Sequence, residues 1–168
     1  PFLKRSLLGL LDSSKRYILT HSKISYKTPG ASGVWLPHQD AGYSKVQKTA
    51  FTVFVCLEHM SASNGCLCVY PGSHKLGLLE ADTKMSYREK SNNPGNHIFK
   101  ETLAKLTKTD LTFELGDMLI LNGNVIHGSY PNNSKVYSRP LLSVSYISTG
   151  FSFIPGKNAQ RTEIPLNV

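Results

Sequence analysis

Residues 111–133 read LTFELGDMLILNGNVIHGSYPNN, three short runs broken at Gly116–Asp117 and at Asn122–Gly123–Asn124. Each run has strand length, and the breaks are built from residues that let a backbone reverse. The same grammar extends to both sides. RPLLSVSYIS alternates as a strand, and TAFTVFVCLEHM is β-branched and aromatic, with an unbroken apolar run that predicts burial on both faces. SASNGCLCVYPGSHKLG reads as turn, short strand and Pro-Gly turn. RYILTHSKISYK has a period of two, which places Tyr17, Leu19, His21, Lys23, Ser25 and Lys27 on one face. Helix is expected only at the N-terminus, where Phe2, Leu3, Leu7, Leu10 and Leu11 have helical spacing, and briefly at IFKETLAKL. Many short strands and little helix predict an all-β sandwich or jelly roll.

Length and composition bound the rest. A chain of 168 residues is expected to be a single domain, 1–168, able to bury a core. The stretch 81–108 is polar and lysine-rich around SNNPGN and has the character of a lid or insertion. No apolar run reaches membrane-spanning length and no signal peptide is visible. The chain opens on Pro1, so loss of an N-terminal address signal belongs to the expectation. Cys56, Cys66 and Cys68 are too few for a disulfide framework and read as small apolar residues in a reducing, cytoplasmic compartment. The net charge of +8 raises a nucleic-acid partner, but the bases are scattered from Lys4 to Arg161 without an aromatic stacking series. A solvated basic surface, or attraction of an anionic small substrate, accounts for the charge better.

The chemistry-bearing stretch is WLPHQDAGY, residues 35–43. His38 and Asp40 are two apart, so an extended segment would project both to one side. His127 is read as ending the apolar run MLILNGNVIHGS, beside a glycine that permits close approach. Two histidines and one carboxylate are the facial set that leaves metal positions open in non-haem Fe(II) oxygenases. Arg139 follows twelve residues later, across the turn SYPNNS; a hairpin folding back would aim its guanidinium inward. A planar fork of donors suits a carboxylate, so the four residues together match a site that chelates 2-oxoglutarate at iron and clamps its far end. For His74, a structural hydrogen bond in the PGSHK turn is expected rather than metal binding.

The chain also resembles the phytanoyl-CoA dioxygenase family, which includes ectoine hydroxylase. WLPHQDAGY, CLEHMSASNGCLCVYPGSHKLG and GDMLILNGNVIHGSYPNNS…SRP carry the likeness, from about Tyr17 to Arg161. The middle block is the most diagnostic, because NGCLCVYPGSHK has no metal role. The resemblance implies a double-stranded β-helix (a cupin-like jelly roll) with a few short helices and the lid insertion. It implies His38, Asp40 and His127 as iron ligands and Arg139 as the 2-oxoglutarate arginine, one residue further from the distal histidine than the family pattern. Ser129 matches a serine that assists the same carboxylate, and Ser25 a polar cosubstrate contact. His21, Lys23 and Trp35 fall at pocket-lining positions. The implied reaction uses Fe(II), 2-oxoglutarate and O₂ to hydroxylate a C–H bond of a small organic or acyl-type substrate, and a carboxylate at Asp40 favours hydroxylation over chlorination. The resemblance carries the expectation that this chain lacks the family's additional N-terminal helices and strands. Three rival readings accompany this one: a catalytically idle jelly-roll binding or sensing module, a nucleic-acid-directed oxygenase, and a zinc or manganese cupin. Substrate and oligomeric state are not legible in the sequence.

Overall fold

A computed structural model describes residues 16–45, 50–82, 96–155 and 161–165. The expected N-terminal helix and residues 83–95 of the expected lid lie outside them. The described strands are β1 (Tyr17–Lys27), β2 (Trp35–His38), β3 (Phe51–Cys56), β4 (Leu67–Val69), β5 (Thr109–Asp110), β6 (Met118–Asn122), β7 (His127–Ser129), β8 (Arg139–Ser148) and β9 (Ile164–Pro165). Among the described residues helix is limited to single turns, α1 (Ala41–Ser44) and α2 (Lys100–Leu103), with 3₁₀ turns at Ala62–Asn64 and Ser73–Leu76.

Two antiparallel sheets result, β6-β3-β8-β1-β9 and β2-β7-β4-β5. Together they form the jelly roll. The larger sheet is held by β8, which pairs with β1 on one side and β3 on the other. Its near-complete burial suits a central strand, as does that of β3, which is β-branched at Thr52, Val53 and Val55 and buried or half-buried throughout. Between the sheets, Phe54, Leu121 and Leu141 of the larger pack with Leu67 and Val69 of the smaller, around Met60, Cys56 and Cys66. All three cysteines are buried free thiols. A second cluster of Tyr70, Ile98 and Ile126, joined by Leu79 and Leu103, covers the outer side of the smaller sheet.

Three local expectations are corrected. The alternation of β1 breaks where its register shifts between Leu19 and His21. One extra residue turns every later side chain to the other face. Tyr17 and Leu19 therefore pack outside with Val53 and Val144, while His21, Lys23, Ser25 and Lys27 face inward beside Ser145, Ser143, Leu141 and Arg139. His127 opens β7 rather than ending a strand, since the apolar run stops at Asn122 and a turn intervenes. Residues 130–138 do not form a hairpin, because β7 and β8 belong to different sheets. The chain instead crosses from one sheet to the other, pinned by buried Asn132, whose side chain donates to the carbonyls of Lys27 and Tyr137.

Candidate active site

His38 and His127 are paired neighbours across β2 and β7, and their rings lie 4.4 Å apart between centroids. Gly128 permits that approach: a Cβ there would meet the Trp35 carbonyl oxygen at 2.6 Å, so the close partner is backbone of β2. Asp40 does not share an extended segment with His38. β2 ends at His38, and Asp40 has helical backbone angles (φ −62°, ψ −34°) ahead of α1. That turn brings its Oδ1 to 3.6 Å from His38 Nε2 and 3.7 Å from His127 Nε2. One ligand atom from each of the three residues fits within 4.8 Å of the others.

The groups behind these side chains fix their roles. His38 Nδ1 lies 2.7 Å from the Leu36 carbonyl and His127 Nδ1 lies 3.0 Å from that of Val125. A carbonyl only accepts, so each Nδ1 carries the proton and each Nε2 presents its lone pair toward Asp40. Thr52 Oγ1 donates to Asp40 Oδ2 at 2.7 Å, leaving Oδ1 for the centre. Gln39, between the two ligands, is buried and faces away. Its Nε2 donates to the carbonyls of Gly77 and Asn124, and its Oε1 accepts from Leu79 N–H. These bonds anchor the end of β2 to two loops, so the ligand turn is rigidly placed. Enclosure alone would raise the Asp40 carboxyl, but the His127 charge, His38 and the Thr52 hydroxyl outweigh it and hold the group well below the usual carboxylate range. Burial pushes the His127 imidazole down to about 4 against the pull of Asp40. A neutral His127 beside an ionised Asp40 is the combination a divalent metal requires of these two ligands. The donor set of two nitrogens and one oxygen on one side fits iron with open positions.

The same cavity, about 510 Å³, is lined by Arg139, Ser129 and Ser25. Arg139 is 1% exposed, and among the described residues its Nε and Nη1 find no hydrogen-bond partner. Burial pulls its pKa down to about 10, so it stays charged at neutral pH. A buried guanidinium with idle donors fits an incoming carboxylate. Ser129 is buried, and its Oγ accepts from Lys27 Nζ at 2.9 Å. Lys27 is paired in register with Arg139, and also donates to the Tyr130 carbonyl. Ser25 stands beside Leu141, on the inner face of β1.

This chain is matched by the model of the family Phytanoyl-CoA dioxygenase (PhyH) over residues 6–140. The chain belongs to the phytanoyl-CoA dioxygenase family. It is 32% identical over 158 residues to phytanoyl-CoA dioxygenase 1 of Oryza sativa subsp. japonica, an alignment covering 89% of this chain and 54% of the relative. The chain thus spans about half the length of the curated relatives it matches. Among solved structures, the non-heme monooxygenase ThoJ superposes with a TM-score of 0.70 at 19% identity, covering all of this chain and 59% of that one. EctD from S. alaskensis, solved with 2-oxoglutarate and 5-hydroxyectoine, gives a TM-score of 0.62 at 22% identity over 80% of this chain and 45% of that one. These likenesses support the jelly-roll fold.

Four contributing residues were not singled out from the sequence. Thr52 is a polar member of an apolar run, a signal that could have found it. Lys27 and Arg161 owe their place to tertiary structure, and nothing local distinguishes Gln39. His74 is exposed; the buried polar group of its turn is Ser73, whose Oγ accepts from Ile126 N–H at 2.8 Å. His59 is likewise a surface residue, beside Glu114. No helix among the described residues is long and apolar enough to cross a membrane.

Proposed function

We propose that this chain, read as one oxygenase domain over 1–168 with 81–108 as its insertion, is an Fe(II)- and 2-oxoglutarate-dependent dioxygenase. It hydroxylates a C–H bond of a small organic or acyl-type substrate. The observation that carries the reading is the buried Arg139 guanidinium, with Nε and Nη1 unbonded among the described residues, in one cavity with His38, Asp40 and His127. A metal cupin that binds no dicarboxylate has no use for that cation.

His38 and His127 would hold the metal through Nε2, and Asp40 through Oδ1. When bound, Fe(II) with 2-oxoglutarate and O₂ supplies oxidative decarboxylation to succinate and CO₂ coupled to C–H hydroxylation. Arg139 binds the far carboxylate of the cosubstrate and sets its reach toward the metal. Because Lys27 Nζ occupies the acceptor side of Ser129, the serine O–H is turned outward to donate to the same carboxylate. Ser25 lies on the neighbouring strand position for a further polar contact. The apolar walls at Phe54, Leu67 and Leu141 exclude water from the cosubstrate stem.

The test is anaerobic addition of Fe(II) and 2-oxoglutarate, followed by admission of O₂. A weak visible charge-transfer band and subsequent succinate release are expected. A band without succinate would leave an idle binding module, and no band would remove the cosubstrate.

A further inference from the structure

We propose that His21, Lys23 and Arg161 form an anion-binding subsite for the primary substrate, so that the substrate is a small organic molecule bearing a carboxylate or phosphoryl group. The inference rests on the oxygenase reading only in taking the same cavity as the substrate's.

His21 and Lys23 occupy successive inward positions of β1, beyond the register shift, and Arg161 comes from the segment that leads into β9. All three line the cavity that holds His38, Asp40 and His127. Each lies in the field of Asp40; burial and the charges of Lys23 and Arg161 push the His21 imidazole down, so it offers a ring N–H beside two cations. Asp40 is the carboxylate a metal would neutralise. Once metal and cosubstrate are in place, the positive side chains of the cavity exceed its negative charges. Nothing among the described ion pairs supplies Lys23 or Arg161 with a carboxylate.

The cations are also positioned rather than loose. Lys23 Nζ sits 4.3 Å from the centroid of the Trp35 ring, a cation–π contact that holds the ammonium against the cavity wall. Arg161 Nη1 donates to the carbonyls of Ile154 at 3.2 Å and Pro155 at 3.4 Å. A guanidinium has five N–H donors, so others of its fork serve an oxyanion. Tyr43, which lines the same cavity, gives an apolar stem something to lie on, which favours an organic anion over an inorganic one.

The test titrates hexanoate, hexyl phosphate and neutral hexanol into protein saturated with Mn(II) and 2-oxoglutarate, so that Arg139 is already engaged, with calorimetry as the readout. One of the two anions is expected to bind at least tenfold more tightly than hexanol, and the tighter one names the group as carboxylate or phosphoryl. Arg161→Gln and Lys23→Met should each weaken that anion about tenfold or more. Lys23→Arg should restore it, and the Fe(II)–2-oxoglutarate band should remain in every variant. Equal binding of hexanol, or anion affinity unchanged in both charge-removing variants, overturns the subsite. Loss of the band in the parent protein overturns the oxygenase reading separately, and the Arg161→Gln comparison still decides the subsite.

Discussion

At one end of the cavity each candidate metal ligand is steadied by a neighbour: His38 by the Leu36 carbonyl, His127 by that of Val125, Asp40 by Thr52. At the other end Arg139 lines the cavity and Lys27 lies behind Ser129; they are 1% and 4% exposed, and no described carboxylate pairs with them. The first end presents two lone pairs and an anion, and lacks a cation. The second presents two cations, and lacks an anion. A lone buried charge costs several kcal/mol, so neither deficit is a feature that stability alone would retain. On the oxygenase reading the two deficits are complementary: a metal would sit where the imidazoles meet, and a carboxylate within reach of the guanidinium.

The largest break in this comparison is expected at the first end. Asp40→Ala removes the sole carboxylate of the set. Succinate production should fall below detection and Fe(II) should wash out on gel filtration. The fold should persist, since Asp40 belongs to none of the apolar clusters. Near-normal turnover in that variant would take the carboxylate out of the metal site.

Arg139→Ala probes the second end and should leave metal retention intact. Truncating one partner of a buried charged pair costs ~2–5 kcal/mol, roughly thirty- to several-thousand-fold in the 2-oxoglutarate concentration needed. An unchanged requirement, with the variant still melting cooperatively, would move the cosubstrate elsewhere. The two substitutions together should separate metal affinity from cosubstrate affinity.

Much of this contrast could be read from residue order alone, and the reasons differ by residue. β3 was legible from its β-branched and aromatic run and β8 from its alternation, and in both tertiary context agrees with local preference. His38, Asp40, His127 and Arg139 were legible because their chemistry is distinctive. The geometry that joins them was not. Asp40 reaches the centre through a helical turn, not by strand alternation, and Arg139 arrives by a crossover between sheets rather than a hairpin. The register shift at Thr20 has no local signature, yet it decides which half of β1 faces the cavity. Lys27 looked like one more surface lysine, because sequence periodicity says which face a residue takes and not whether that face is closed.

Lys27 also yields the subtlest expected effect, a pH dependence. Burial, then the Arg139 charge, bring its pKa from the ordinary lysine value down to about 7. The groups facing it are Arg139, charged up to about 10, and the thiols of Cys66 and Cys68, which burial pushes up. Lys27 is therefore the group at that end that changes charge between about 7 and 10. A bound carboxylate raises its pKa, so binding takes up a proton in that window. Cosubstrate affinity should be full below pH 7 and decline as pH rises, with the loss complete only above the pKa of the complex. Lys27→Met should bind more weakly at pH 6.5 and lose the slope, while Lys27→Arg, if it folds, should bind at all pH values without it. An affinity flat from pH 6.5 to 9.5 in the parent protein would show that the ammonium does not sense the cosubstrate, leaving Arg139 as the cation of that end.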